Sequence, residues 1–354
     1  MGSVIRTLLD VPERENGGRT AYDRFDFQTA WGLSKVIELH QADANYAVGF
    51  EFHDDLVELD DANAPATAVF YQMKSLDSGH WTLSRILDRP VAGKTKQTLK
   101  SSIAGKMFDN IKRFGEVVDK LVMVSNQPLS EVGPCYEEVP LATLAEADVK
   151  KFVTAMKLEC KGFKETDHLG FFHYEQCRLG LGSYEEALFG QVGMLLHERN
   201  IDARPIPFTL HLVNEGRRRS KQLAKVKNFE ELKRSKFMTR EQVEGWLTEL
   251  DGETSYRPSW ETASKHLHLD HRREIALSRE WHSYMAERKR RWSAATLEMA
   301  SGVKAKTSTV IDAAAEFADG VNAAVPLVSA QVRKWKPGAS DNFVFAVVLY
   351  EYMR

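Results

Sequence analysis

Apolar positions along the chain recur at a spacing of two in some stretches and of three to four in others, which separates predicted strands from predicted helices. Strands are predicted at residues 46–59 and 66–75, with a turn at 60–65, where acidic residues and a proline interrupt the pattern. Further strands are predicted at 121–126 and 208–213, and helices at 22–41, 144–158, 183–199, 239–250 and 272–291, with another helix ending at residue 114. The mixture predicts an α/β core followed by a helical C-terminal region.

Some helix starts carry capping residues, whose side chains can accept hydrogen bonds from the first backbone N–H groups. Thr98 or Ser101 is the expected cap of the helix that ends at residue 114, and Thr143 is the expected cap of the helix at 144–158. Thr239 and Gln242 fit a T-x-x-Q capping box before the helix at 239–250.

Polar residues interrupt the first two predicted strands where a core strand is normally apolar. In a strand, residues two apart share a face, so Gln72 and Lys74 point one way while Tyr71 and Met73 point the other. The second strand is therefore expected to bury one face and to show the other. If the two strands form a hairpin, Asp55 can lie across from Gln72 and Lys74.

A carboxylate, an amide oxygen and a lysine at one spot fit metal-assisted hydrolysis of a phosphodiester. Mg²⁺ takes hard oxygen ligands, usually one or two carboxylates together with phosphate oxygens and water. A lysine can stabilise the developing negative charge or help deprotonate the water. The pattern of one aspartate followed by Q-x-K is short, and an edge hairpin with a solvated polar face is the alternative.

The wider sequence resembles the PD-(D/E)xK nucleases, in the variant where glutamine replaces the second acid. The features that carry the resemblance are, in order, Gly17-Gly18, Tyr22 and Phe27-Gln28, then FEFHDD at 50–55, YQMKS at 71–75, SSIAGKMFDNIKRF at 101–114 and LVMVSN at 121–126. It is most similar to the nuclease domain of double-strand DNA endonucleases in bacterial anti-phage CBASS systems, a domain type that also occurs in the nuclease subunit of Lamassu defence systems. The resemblance implies a restriction-endonuclease-like core with a mixed sheet flanked by helices.

The resemblance also implies a Mg²⁺ (or Mn²⁺) cofactor and assigns roles to site residues. Asp55 is the first metal ligand, and Gln72 is the second through its side-chain carbonyl. Lys74 stabilises the transition state or orients water. Glu51 is either a further metal ligand or a surface acid at the strand end. Asp54 can exchange roles with Asp55, because a turn at His53 obscures the register.

One residue of the first predicted helix belongs to the resemblance. The match at Phe27-Gln28 implies that Gln28 supports the active site, and a solvent-facing glutamine is the alternative.

Two basic stretches are candidate contacts to DNA phosphates, which lysines hold without reading bases. The first, at residues 94–114, supplies the DNA-binding candidates Lys94, Lys96, Lys100, Ser102 and Lys106. The second, at residues 216–236, is a dense cluster of arginines and lysines that fits DNA backbone or an acidic partner surface, or else is a solvated linker.

Composition constrains these expectations. The chain has 354 residues, 43% hydrophobic and 28% charged, and a net charge of −2, so a nucleic-acid site must be a local basic patch or come from assembly. Its three cysteines are widely separated and form neither a CxxC metal site nor a disulfide framework, which indicates a reducing cytoplasm. Neither a signal peptide nor a membrane span is expected.

The last hundred residues place tryptophans among highly charged helices, a composition typical of surfaces that pack on a partner chain. We therefore expect a nuclease domain at 1–215, and a basic linker with a helical assembly region at 216–354. CBASS effectors carry a C-terminal nucleotide-sensing domain, for which the residues after 250 offer too little room.

The limited room after residue 250 favours the Lamassu-like alternative. That alternative implies a homo-oligomer that acts on double-stranded DNA and is held in check by an SMC-like ATPase and an accessory subunit. Two other functions stay open. In the first, the chain is a CBASS-type effector activated by a cyclic oligonucleotide. In the second, it is a non-catalytic DNA-binding scaffold with a nuclease-like fold.

Overall fold

The structure, a computed structural model, describes residues 16–92, 98–222, 227–255 and 258–354. The chain forms two compact units, one of residues up to 191 together with 215–243, and one of residues 192–214 together with 244–354. The expected functional division at residue 215 stays a prediction, because the compact units follow different bounds.

The first unit is α/β, as predicted. Its helices are α1 (Asn16–Gln41), α2 (Leu83–Ile86), α3 (Ile103–Phe114), α4 (Glu146–Glu159), α5 (Glu165–His168) and α8 (Phe229–Lys236). Short 3₁₀ turns lie at Gly115–Val117, Leu141–Thr143 and Leu169–Phe171. Three helices contain residues of both units: α6 (Tyr184–Glu198), α7 (Pro205–Lys221) and α9 (Arg240–Ser255).

Within the described residues, a seven-stranded mixed sheet has the order β7-β8-β6-β3-β2-β1-β9. Its strands are β1 (Ala47–Phe52), β2 (Asp54–Leu59), β3 (Ala68–Met73), β6 (Val118–Ser125), β7 (Glu138–Pro140), β8 (Phe172–Gln176) and β9 (Phe237–Thr239). The central pairs β3–β6 and β6–β8 are parallel, and the other pairs are antiparallel. A separate small hairpin joins β4 (Val91–Ala92) to β5 (Thr98–Leu99).

The predicted strand at 46–59 is wrong as one strand, because the chain reverses in its middle. Phe52 pairs with Asp54 across a tight turn at His53, so β1 and β2 are antiparallel neighbours. Glu51 and His53 have φ of 48° and 64°, in the left-handed region that a side chain disfavours. The predicted hairpin with the second strand is confirmed, since β2 pairs with β3.

Of the two residues expected on an exposed face, Gln72 on β3 is buried, whereas Lys74 just beyond the strand is 30% exposed. Tyr71 packs on Trp31 of α1, with ring centroids 4.9 Å apart. On the opposite face, Phe70 stacks on Phe114 of α3, also at 4.9 Å. Because helices cover both faces of this central strand, Gln72 is only 8% exposed.

The predicted strand at 208–213 is wrong, because these residues lie inside α7. Pro205 occupies the first helical turn, where its missing N–H costs nothing. Phe208 and Leu212 are four apart and both fully buried, which is helical spacing.

The structure also decides the helix starts. Ser102, one residue after the expected Ser101, caps α3 by accepting a hydrogen bond from the N–H of Gly105 at 2.9 Å. Thr143 belongs to a 3₁₀ turn that precedes α4. The capping box of Thr239 and Gln242 is confirmed by reciprocal hydrogen bonds of 3.3 and 3.4 Å.

The second unit is helical, as expected of the C-terminal region. Besides parts of α6, α7 and α9, it contains α10 (Trp260–Ser264), α11 (His271–Arg290), α12 (Ala294–Asp312), α13 (Phe317–Trp335) and α14 (Asp341–Met353). None of the helices in the described residues is long and apolar enough to cross a membrane.

The tryptophans that suggested a partner surface contribute to the interior of the second unit. Trp281 is fully buried and packs on Trp260 and Tyr350, with ring centroids 5.7 and 5.0 Å away. Trp292 is 5% exposed. The assembly region therefore stays a prediction without this support.

Candidate active site

Asp55, Gln72 and Lys74 come together at the end of β3, as the sequence predicted. The Asp55 Oδ2 atom accepts hydrogen bonds from the Gln72 amide and, at 2.7 Å, from the backbone N–H of Met73. The Lys74 Nζ atom lies 3.6 Å from the same oxygen. The register explains the meeting, because Leu56 pairs with Tyr71 and the next step brings Asp55 level with Gln72.

Backbone contacts hold Lys74 in place just beyond β3. Its N–H donates to the carbonyl of Val124 on β6 at 2.9 Å. Its Nζ donates to the carbonyl of Met73 at 2.7 Å. The side chain is 30% exposed and that of Asp55 is 18% exposed, so both can meet a ligand from solvent.

Asp54 lies in a different environment from Asp55. Its Oδ2 accepts a hydrogen bond from the Asn110 amide of α3 at 2.9 Å, and its Oδ1 accepts the Asp55 N–H at 3.0 Å. Burial and the charge of Asp55 raise the pKa of Asp54 to about 7. Sequence reasoning missed Asn110, although its position lies inside the shared stretch at 101–114.

Glu51 lies in β1 just before the turn at His53, and its residue surface is exposed. Partial desolvation of its carboxylate by the surrounding residues and the charge of Asp55 raise the pKa of Glu51, while Lys236 and Lys74 oppose that rise. Lys236 also donates to the backbone carbonyl of Glu51 at 3.2 Å. Sequence reasoning grouped Lys236 with the basic cluster and did not connect it to the site.

A cleft of about 390 Å³ lies beside these residues. Gln72 and Asp54 line it, and the basic side chains in its wall are Arg89, Lys106, Lys112 and Arg113. Acidic residues in the wall are Asp109, which pairs with Arg113 at 2.6 Å, and Glu159. The cleft therefore offers cations beside the candidate catalytic residues.

The side chain of Glu159, the last residue of α4, contacts the start of α3. Its Oε1 atom accepts the N–H of Ser102 at 2.8 Å, and Arg89 lies 3.8 Å from the same oxygen. The carboxylate stabilises the positive end of the helix, where the first N–H groups lack helical partners. Glu159 was not predicted, because nothing in its local sequence marks it.

The predicted DNA-binding residues fall into different places. Lys106 is exposed and lines the cleft. Lys100 is exposed, and its backbone N–H and carbonyl join it to Pro90 and Arg89. Ser102 is 1% exposed and serves as the helix cap, so a direct contact with phosphate does not fit this conformation. Lys94 and Lys96 lie outside the described residues.

Gln28 is half-buried on α1, and within the described part of the chain no hydrogen bond joins it to Asp55, Gln72 or Lys74. Its supporting role stays a prediction.

Three arginines of the basic cluster at 216–236 are engaged within the first unit, so this part of the cluster is not a solvated linker. Arg217 pairs with Asp26 at 2.8 Å. Arg218 pairs with Glu215 at 2.8 Å. Arg219 is 2% exposed and donates to the carbonyl of Phe237 at 2.8 Å. These contacts reduce the positive charge available to DNA.

The residues of the site fit a hard divalent cation. The described residues hold no group of three or more His, Cys, Asp or Glu suited to a metal ion. Mg²⁺ requires less, because one or two carboxylates suffice when phosphate oxygens and water complete its shell. Asp55 supplies a partly exposed carboxylate, and Gln72 supplies an amide oxygen once its amide is turned by 180°.

The chain was compared with protein-family models, with curated proteins and with solved structures. The family model described as "Cap4, dsDNA endonuclease domain" matches residues 16–220. The "Lamassu protein LmuA" of Bacillus cereus (strain VD014) is 23% identical over 203 residues, which are 56% of this chain and 54% of that protein. The structure of the Moraxella osloensis Cap4 SAVED/CARF-domain containing receptor aligns with 64% of this chain and 47% of its own, at 12% identity and a TM-score of 0.36.

The chain thus spans about half the length of each of these two relatives. The family match covers more than half of the 354 residues and includes Asp55, Gln72 and Lys74. This chain belongs to the Cap4 dsDNA endonuclease domain family.

Proposed function

We propose that this chain is a metal-dependent endonuclease that cleaves double-stranded DNA in bacterial anti-phage or anti-plasmid defence. The observation that carries the proposal is the convergence of Gln72, the Met73 N–H and Lys74 on one oxygen of Asp55. The family match supports the substrate class.

The residues take separate roles in this proposal. Asp55 and Gln72 hold Mg²⁺ or Mn²⁺ through side-chain oxygens, with Glu51 as a further ligand on the solvent side. A bound cation polarises the scissile phosphate and lowers the pKa of a coordinated water. Lys74, fixed by the Met73 carbonyl, places its ammonium where negative charge develops on the phosphate.

The basic cleft holds the DNA backbone next to these residues. Lys106 and Arg89 line it, and their charged side chains can donate hydrogen bonds to phosphate oxygens. Contacts of this kind position a duplex without reading its sequence, so cleavage with little sequence preference is expected, together with binding that weakens as salt rises.

The defence role and the partner subunits are carried over to this chain from the proteins that it resembles. One relative is named as a Lamassu protein. We therefore expect a homo-oligomer that works with an SMC-like ATPase and an accessory subunit, and low activity of the isolated chain until assembly aligns the sites.

Plasmid cleavage by the purified chain tests the proposal. Mg²⁺ or Mn²⁺ is expected to support cutting that EDTA stops, and Lys74→Ala is expected to lower the rate by about 10²-fold or more. Lys157→Ala is the matched control, because Lys157 is exposed on α4 and pairs with Glu165 at 3.3 Å, away from the cleft.

Cutting by Lys74→Ala at the rate of the unaltered chain would overturn the assignment of the site. If the unaltered chain does not cut, the same variants are compared after co-purification with the partner subunits.

One observation favours a second function, a non-catalytic DNA-binding scaffold. An amide at position 72 is a weaker ligand than a carboxylate, and here it donates to Asp55. For an enzyme, Gln72→Glu is expected to lower the Mn²⁺ concentration needed for half-maximal cutting. A scaffold would bind DNA tightly, bind Mn²⁺ weakly, and stay inactive with its partners present.

A further inference from the structure

The turn that carries Asp54 and Asp55 has a conformation that its own residues disfavour. Glu51 and His53 both have positive φ, and neither is glycine. Such residues persist where surrounding contacts hold them, and they often lie at functional sites. Contacts from outside the turn are therefore needed to keep Asp55 beside Gln72.

Lys236 provides such contacts from a distant part of the sequence. Its Nζ donates to the carbonyl of Glu51 at 3.2 Å and to the carbonyl of Ser220 at 3.3 Å. Lys236 is only 5% exposed. A buried ammonium is costly unless it is hydrogen-bonded, so these two carbonyls and the charge of Glu51 stabilise it where it lies.

The sheet fixes the position of Lys236. It ends α8, directly before β9, and β9 pairs with β1 in a register that sets Gly49 opposite Phe237. A Cβ at Gly49 would lie 2.9 Å from the Phe237 ring, so the close approach of the two strands requires glycine. Phe237 also packs on Phe52 with ring centroids 5.8 Å apart.

Lys236 shares its surroundings with the candidate catalytic residues. Its charge and that of Lys74 both act on the carboxylate of Glu51, which also interacts with Asp55. The segment that places it, residues 229–239, lies beyond the end of the family match at residue 220. The matched segment alone thus lacks a contact to its own active-site turn.

We propose that Lys236 is a positioning residue of the nuclease site, which holds the β1–β2 turn and so keeps Asp54 and Asp55 in place. The proposal rests on the proposed function, and it adds α8 and β9 to the parts of the chain that the site requires. Lys236 touches no reacting atom and acts through the backbone of Glu51.

Amide hydrogen exchange in the metal-free chain without DNA tests the contact itself. Lys236→Met removes the donors and keeps the apolar stem, and it is expected to speed exchange at residues 50–55 by about ten-fold while other strands of the sheet keep their rates. Lys236→Arg retains donors and charge, so residues 50–55 of this variant are expected to exchange about as slowly as in the unaltered chain. Lys233→Met is the matched control, because Lys233 lies on the same helix and pairs with Glu230 at 2.8 Å.

Lys236→Gln is measured in parallel, since it keeps a polar end but loses charge and reach, and it is expected to speed exchange at the same residues. Unchanged exchange at residues 50–55 in both Lys236→Met and Lys236→Gln, or equal acceleration throughout the first unit, would overturn the proposal. This readout does not need nuclease activity, so its failure is distinct from failure of the proposed function.

Plasmid cleavage by the same variants, with Mg²⁺ or Mn²⁺ added, supplies the second readout. Lys236→Met is expected to lower kcat by about ten-fold or more and to leave the DNA concentration for half-saturation unchanged, because a displaced turn disturbs the reacting geometry and not the basic side chains that line the cleft. A change confined to the half-saturating DNA concentration would make Lys236 a DNA contact and overturn the positioning role.

Discussion

Asp54 and Asp55 are neighbours in sequence with opposite environments. Asp55 accepts a hydrogen bond from the Met73 N–H and lies 3.6 Å from the Lys74 ammonium. Asp54 is half-buried and accepts a hydrogen bond from Asn110, and its pKa is raised to about 7. At the residue scale, these contacts favour Asp55 over Asp54 as the cation ligand.

Glu175, on β8 two strands away from β3, is a second carboxyl with a shifted pKa. Burial raises its pKa from 4.5 to about 7, and the charge of Lys35 opposes the rise. Between these two pH values the folded state holds a proton that the unfolded state has lost. Stability therefore falls as pH rises from about 4.5 to about 7, and then levels off.

We expect Glu175→Gln to reduce this dependence, because a neutral amide has no proton to lose, while the raised pKa of Asp54 leaves part of the dependence in place. The shift corresponds to at most roughly 3 kcal/mol at pH 8. Urea unfolding at pH 5 and pH 8 measures it, with the exposed Glu137→Gln as control. An equal loss of stability between the two pH values in the variant and the unaltered chain would contradict the prediction.

At the scale of elements, the start of α3 depends on a contact between distant segments. Glu159 of α4 reaches the N–H of Ser102, and Gly105 leaves the space that its carboxylate fills. A Cβ at Gly105 would lie 2.1 Å from Glu159 Oε1, so a side chain there must displace the carboxylate. The wall of the cleft is built on this arrangement.

Gly105→Ala is therefore expected to destabilise the chain by about 1–3 kcal/mol, since the added methyl group overpacks a buried site. Thermal unfolding measures the effect. Gly190→Ala is the matched control, because Gly190 lies within α6 with open space around it, and alanine there is expected to stabilise by up to about 1 kcal/mol. Equal effects of the two substitutions would rule out the role of Glu159 at the start of α3.

At the scale of the whole molecule, each unit has its own interior. That of the second unit contains a buried ion pair, in which Arg288 Nε lies 3.1 Å from Glu351. Tyr284 donates its hydroxyl to the same carboxylate. Both charged side chains are at most 2% exposed, so the stability of this unit depends on their compensation.

Glu351→Gln keeps an acceptor for Tyr284 but removes the negative charge that lies 3.1 Å from Arg288. The expected loss is about 3–5 kcal/mol in the unfolding of the second unit. The additional substitution Arg288→Met is expected to restore most of the lost free energy of unfolding, because it removes the buried guanidinium charge. Urea unfolding of the full chain measures both variants, and a double variant no more stable than Glu351→Gln would contradict the explanation.

The sequence by itself determined the local parts of the site. Strand periodicity set Gln72 and Lys74 on one face, and the predicted hairpin set Asp55 across from them, as the structure shows. The capping box of Thr239 followed from four consecutive residues. These features depend on short-range geometry, which repeats wherever the residues do.

Only the tertiary structure decided the rest. The sequence predicted a turn at His53, but the reversal of the chain there depends on positive φ at Glu51 and His53, which no glycine marks. Residues 208–213 alternate like a strand, yet burial on a helical spacing prevails. Lys236 and Glu51 are 185 residues apart, and Ser102 and Glu159 are 57 apart. Contacts over such separations depend on how the elements pack, and local sequence does not encode that packing.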